Sequence, residues 1–148
     1  MDYYLLTDDD DTFRKICNAV TGLTRINPNL KEERRDFWKY LLFYNFVFQS
    51  RAWSNVRPGN KFRDPANVPM LKAVLEHYGP AAVWILGNAK DGHCTARYAK
   101  PVIAAAGIPC LVSRHPARQS YHYVRAEFEA FVALSGLPWK GCLAQRRY

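Results

Sequence analysis

The sequence predicts an α/β domain of three layers, α/β/α, with a short, mostly parallel central sheet flanked by helices. Two observations predict it. Apolar runs of strand length stand at 41–48, 81–87 and 108–113, and segments with helical spacing of apolar residues lie between and after them. Strands that alternate with helices pair in parallel through right-handed crossovers, which place helices on the sheet faces. The second observation is size. A chain of 148 residues, 49% apolar, is an ordinary single domain that can bury a core. Residues 1–148 therefore read as one domain, with an arm at 1–11 and an irregular tail at 136–148.

The elements follow in order. Phe13, Ile16, Cys17 and Val20 recur at helical spacing, so 11–21 reads as a helix stopped by Gly22. Thr7 or one of the aspartates at 8–11 suits its N-terminus, because these side chains accept backbone N–H bonds and Asp also complements the helix dipole. Residues 31–40 read as a second helix with Phe37 and Trp38 as its buried corner. The run 41–48 suits a strand buried on both faces, interrupted by Asn45 and followed by Gln49. A long basic loop, 50–66, carries Arg51, Arg57, Lys61 and Arg63. Residues 67–78 form a helix with Val68, Leu71, Val74, Leu75 and Tyr78 on one stripe, ended by Gly79-Pro80. The strand at 81–87 ends in Gly87, which lets the backbone turn or a ligand approach closely. A helix over 90–107, interrupted at Pro101, leads to the third strand. The last helix, 121–134, turns Tyr121, Val124, Phe128 and Phe131 inward.

Charge and cysteine content narrow the function. The formal charge is +8, which favours a polyanionic partner, although an acidic run stands at 8–11. Aromatic residues make up 14% of the chain, chiefly for packing, with some free to stack on bases. The four cysteines form no CxxC pair, and no metal site or cofactor is expected. No charged-then-apolar leader and no apolar stretch of the roughly 18 residues that a membrane span needs is present. A cytoplasmic monomer with unpaired thiols is the expectation.

The segment 113–120, Ser-Arg-His-Pro-Ala-Arg-Gln-Ser, lies between a strand and a helix. In parallel sheets ligands bind beyond the carboxyl ends of the strands. All strand ends share that rim, so Asn45, Gln49, Gly87, Asn88 and His115 are expected to converge there.

These three strand ends resemble the uracil-DNA glycosylase superfamily, in a branch with an FYN-type strand. Leu42-Phe43-Tyr44-Asn45 is similar to the family strand whose Asn reads the edge of uracil. Val83-Trp84-Ile85-Leu86-Gly87 is similar to the next family strand, and Arg114-His115-Pro116-Ala117-Arg118 to its HPS-type motif. The resemblance covers roughly 12–134 and implies DNA, single- or double-stranded, as partner. It implies that a flipped base is excised by hydrolysis of its N-glycosidic bond. It makes His115 the catalytic residue, which stabilises the leaving base. Asn45, Phe43, Tyr44, Gln49 and Gly87 would bind the base. Arg114, Pro116, Ala117, Arg118, Ser120, Arg57 and Lys61 would contact DNA. The chemistry agrees: an Asn amide donates and accepts, so it discriminates base edges, and a base must leave the stack to be read.

One family feature is missing. Nothing in residues 1–12 matches the GQDPY-, GE-P- or ESHY-like loop that activates water. The chain is thus expected to be N-terminally shortened or to have lost that part. The alternatives are an inactive nucleic-acid or nucleotide-binding module with the same pocket, and an unrelated α/β domain in which Asn45 and His115 are structural.

Overall fold

A computed structural model describes residues 11–21, 37–39, 41–44, 46, 63–87 and 95–139. The chain groups into two compact units: one of residues 1–43, 115–132 and 138–148, the other of 44–114 and 133–137.

In the second unit, β1 (Val83–Leu86) and β2 (Cys110–Ser113) pair in parallel, with Val83 opposite Cys110 and Leu86 opposite Ser113. Val83 N–H donates to Pro109 O at 2.9 Å and Gly87 N–H to Ser113 O at 2.8 Å, so the ladder runs one residue past each end. A parallel pair needs a crossover connection, and α3 (Thr95–Ala105) lies in it. Side chains alternate across the sheet. Val83, Ile85, Cys110 and Val112 share one core with Leu71 and Leu75 of α2 (Asn67–Tyr78), with Ala96, Ala99 and Ile103 of α3, and with Phe46. The two alanines, three apart, let α3 approach the strands closely. Trp84, Leu86 and Leu111, all half-buried, and Ser113, buried, occupy the alternate positions.

Helix α2 matches the predicted range. Gly79 ends it at φ 51°, ψ 53°, and its N–H donates to Leu75 O at 2.9 Å. This left-handed cap is a conformation glycine adopts without strain. Tyr78 is corrected: it is 58% exposed, the end of the helical stripe having run past the core. Pro101 is also corrected. It lies inside α3 rather than interrupting it. Its position is exposed, so the carbonyl that loses an N–H partner to the proline ring can turn to water.

In the first unit, α1 (Asp11–Thr21) buries Ile16, Cys17, Ala19 and Val20, together with Asn18 and Thr21. Thr21 Oγ1 donates to Cys17 O at 2.6 Å, which satisfies the buried hydroxyl. An aromatic cluster fills this unit. Phe37 packs on Trp38, Phe128 and Trp139, with ring centres 4.7, 5.6 and 5.7 Å away, and Phe128 meets Trp139 at 4.9 Å. These angled contacts suit aromatic quadrupoles. Phe37 and Phe128 are fully buried. Phe128, Val124 and Arg125 are the buried residues of α4 (Tyr121–Ser135), whose N-terminus Ser120 caps by accepting from Tyr123 N–H at 3.2 Å. Tyr121 does not turn inward as expected; it is 40% exposed.

The strand expected at 41–48 is corrected for its described part. Residues 41–44 join no ladder, and Leu42 is 50% exposed. Leu41 N–H donates instead to Trp38 O at 3.2 Å, in a turn, and the Phe43 ring packs edge-on against Phe13 at 4.5 Å. An apolar run supplies burial without specifying a backbone partner, and here aromatic packing and a turn took it. Phe46, further along, is buried in the second unit's core. Of the helix expected at 31–40, residues 37–39 are described, and Phe37 and Trp38 are helical.

Among the described residues, no helix is long and apolar enough to cross a membrane. Phe128→Ala is expected to cost about 3–5 kcal/mol by chemical denaturation, while Tyr78→Ala stays within about 0.5 kcal/mol.

Candidate functional site

The rim at the strand ends is built by the ladder. Ser113, the last residue of β2, is buried, and its Oγ accepts from Trp84 Nε1–H at 2.6 Å. Its carbonyl accepts from Gly87 N–H, so β1 and β2 end side by side. Gly87 has φ 128°, and a Cβ built on it would meet nothing within 4 Å. Backbone conformation, not crowding, therefore calls for glycine here.

Arg114 follows β2 and is exposed. His115, exposed and extended (φ −60°, ψ 125°), precedes a 3-10 turn, Pro116–Arg118, in which Gln119 N–H donates to Pro116 O at 3.0 Å. Proline suits the start of such a turn because its N–H would have no partner there. The first unit holds this segment from α1. Thr12 Oγ1 lies 3.4 Å from His115 Nε2, and either atom donates according to the imidazole tautomer. Lys15 Nζ donates to Ala117 O at 3.1 Å and stands 5.6 Å from the centre of the Tyr121 ring.

The expected site residues divide accordingly. Arg114, His115 and Arg118 are exposed. Pro116, expected at a DNA contact, is fully buried, so its ring packs the turn rather than lying on the surface. Ala117 is half-buried, with its carbonyl taken by Lys15. Ser120 is exposed and caps α4. Phe43 belongs to the first unit and Tyr44 to the second. Tyr44 packs against the second core, and its buried hydroxyl has no hydrogen-bond partner among the described residues. Burial pushes the Tyr44 phenol above its ordinary pKa. Asn45, Gln49, Arg57, Lys61 and Asn88 lie outside the described residues, and so does their expected convergence with His115.

Sequence reasoning missed Thr12, Lys15 and the Trp84–Ser113 bond. For the first two the available signal was their spacing, three apart on one helix face. It also missed Arg125, which is buried and donates from Nε to Glu129 Oε1 at 3.0 Å, one turn along. Among the described residues no group of three or more His, Cys, Asp or Glu is arranged to hold a metal ion.

A second feature lies apart from this segment. Ala96, Arg97, Lys100, Pro101, Ala104 and Val112 line an open groove between α3 and β2. Cys110, beside this groove on β2, is half-buried. Burial pushes its thiol up in pKa, and the Lys100 ammonium partly opposes this.

Comparison with models of protein families, with curated proteins and with solved structures finds no match to this chain.

The thiolate is the nucleophile, so a raised pKa means less thiolate at neutral pH. Cys110 is expected to be alkylated by iodoacetamide more slowly than an ordinary cysteine, with a midpoint shifted to higher pH. Lys100→Met removes the favourable charge and moves that midpoint further up, as followed by peptide mapping over a pH series.

Proposed function

We propose that this chain is a uracil-DNA glycosylase-like protein that binds DNA and a flipped base, and that excises uracil or another damaged base. The observation that carries the reading is the order parallel strand, exposed His115, 3-10 turn, capped helix, beyond the carboxyl end of β2. That is where parallel α/β folds bind ligands. The formal charge of +8 supports a polyanionic partner, and exposed Arg114 and Arg118 flank the histidine.

In this reading the sheet extends beyond β1 and β2 within a three-layer α/β/α domain. Support comes from burial on both sheet faces: one covered by α2 and α3, the other carrying half-buried Trp84, Leu86 and Leu111. Asn45 reads the base edge, and Phe43, Tyr44, Gln49 and Gly87 bind the base. His115 hydrogen-bonds the base as its bond to the sugar breaks and negative charge gathers on it. Arg114, Arg118, Ser120, Arg57 and Lys61 track the DNA. The protein acts as a monomer, without metal or cofactor, in a reducing cytoplasm.

The second reading is a binding module with the same pocket that does not hydrolyse the glycosidic bond. Excess protein incubated with uracil-bearing single- and double-stranded oligonucleotides, then assayed for abasic sites, separates the two. Abasic product that His115→Ala abolishes supports excision. Salt-sensitive binding without product, weakened about tenfold by Arg118→Ala, supports the module. Absence of both overturns both.

A further inference from the structure

We propose that Thr12 and Lys15 are positioning residues, which make the first turns of α1 part of the His115 site. The two stand three apart in α1 and so share a helix face. Their contacts fall on successive parts of one segment. Thr12 Oγ1 meets the His115 imidazole at 3.4 Å. Lys15 Nζ donates to Ala117 O, in the 3-10 turn, at 3.1 Å. The same ammonium lies 5.6 Å from the ring centre of Tyr121, the first residue of α4, within the range of cation–π attraction.

The segment needs such ties. A backbone bond of its turn runs from Gln119 N–H to Pro116 O, and the Ala117 carbonyl accepts from Lys15. Pro116 has no N–H to offer. Its burial anchors the turn by packing, and packing alone does not orient the exposed residues on either side. The Lys15 bond is charge-assisted and is the stronger tie. The hydroxyl contact is long and therefore weak, and its effect is on the imidazole: it favours one orientation of the ring. Lys15 thus sets where the turn presents Arg118, and Thr12 sets how His115 presents its ring. The consequence for DNA rests on the base-excision and binding reading above; the fastening of the segment does not.

Full-length Thr12→Val, Lys15→Met and Lys15→Arg variants test this, with thermal unfolding as a control. Amide hydrogen exchange over 115–121, the imidazole nitrogen NMR shifts of His115, and affinity for a uracil-bearing oligonucleotide are read. Lys15→Met is expected to speed exchange at 117–121 about tenfold and to weaken oligonucleotide binding several-fold, and Lys15→Arg to restore both. Thr12→Val is expected to move the His115 shifts with the unfolding midpoint unchanged. Unchanged exchange in Lys15→Met together with unchanged shifts in Thr12→Val overturns the proposal. So does faster exchange spread evenly over the protein with a lowered midpoint, since Lys15 would then be a structural residue only. Local changes as expected, in a protein that neither binds nor cleaves the oligonucleotide, uphold the fastening and remove the DNA reading instead.

Discussion

The parallel pairing of β1 with β2 is the constraint on which the second unit depends. Parallel strands cannot be joined by a tight turn, so the chain between them must leave the sheet and return, and α3 lies on that path. The in-step register, with Leu86 opposite Ser113, then brings both carboxyl ends to one edge. The bonds at that edge involve side chain and backbone alike. Ser113 accepts from the Trp84 indole through its hydroxyl and from Gly87 through its carbonyl. The rim is therefore a hydrogen-bonded structure, not merely the place where two strands stop.

The first unit rests on different forces. Its aromatic rings meet at angles from 41° to 86° around Phe37 and Phe128. Rings of this size bury large apolar area with little side-chain entropy lost per unit area. That packing holds helices whose polar residues are then free for other work. On α1, Thr12 and Lys15 meet the segment from His115 to Tyr121. The segment combines a buried anchor, Pro116, with exposed polar neighbours, His115 and Arg118.

Much of the fold was legible in the residues. The range of α2 and its end at Gly79 follow from periodicity and from the glycine that a left-handed cap favours. β1 and β2 lie within the predicted apolar runs, and α1 and α4 follow their spacing. The failures share a cause. The run at 41–44 is apolar enough for a buried strand, yet apolar content does not say whether burial comes from a ladder or from aromatic rings, and Phe13 supplies the rings. Tyr78 and Tyr121 keep helical phase with the core, yet phase says nothing about where the core ends along the helix axis. Pro101 stays within α3 because its position is exposed, a fact of packing and not of local propensity.

The site divides along the same line. The sequence by itself determined that a histidine in a proline-bearing loop follows an apolar strand and precedes a helix, since these are local patterns of residue type and spacing. Only the tertiary structure decided that Pro116 is buried while His115 and Arg118 are exposed, that Ser113 bonds to Trp84, and that α1, about a hundred residues earlier in the chain, supplies Thr12 and Lys15. Such contacts join residues far apart in the chain. No local pattern encodes them, because they exist only once burial of apolar surface has brought the elements together.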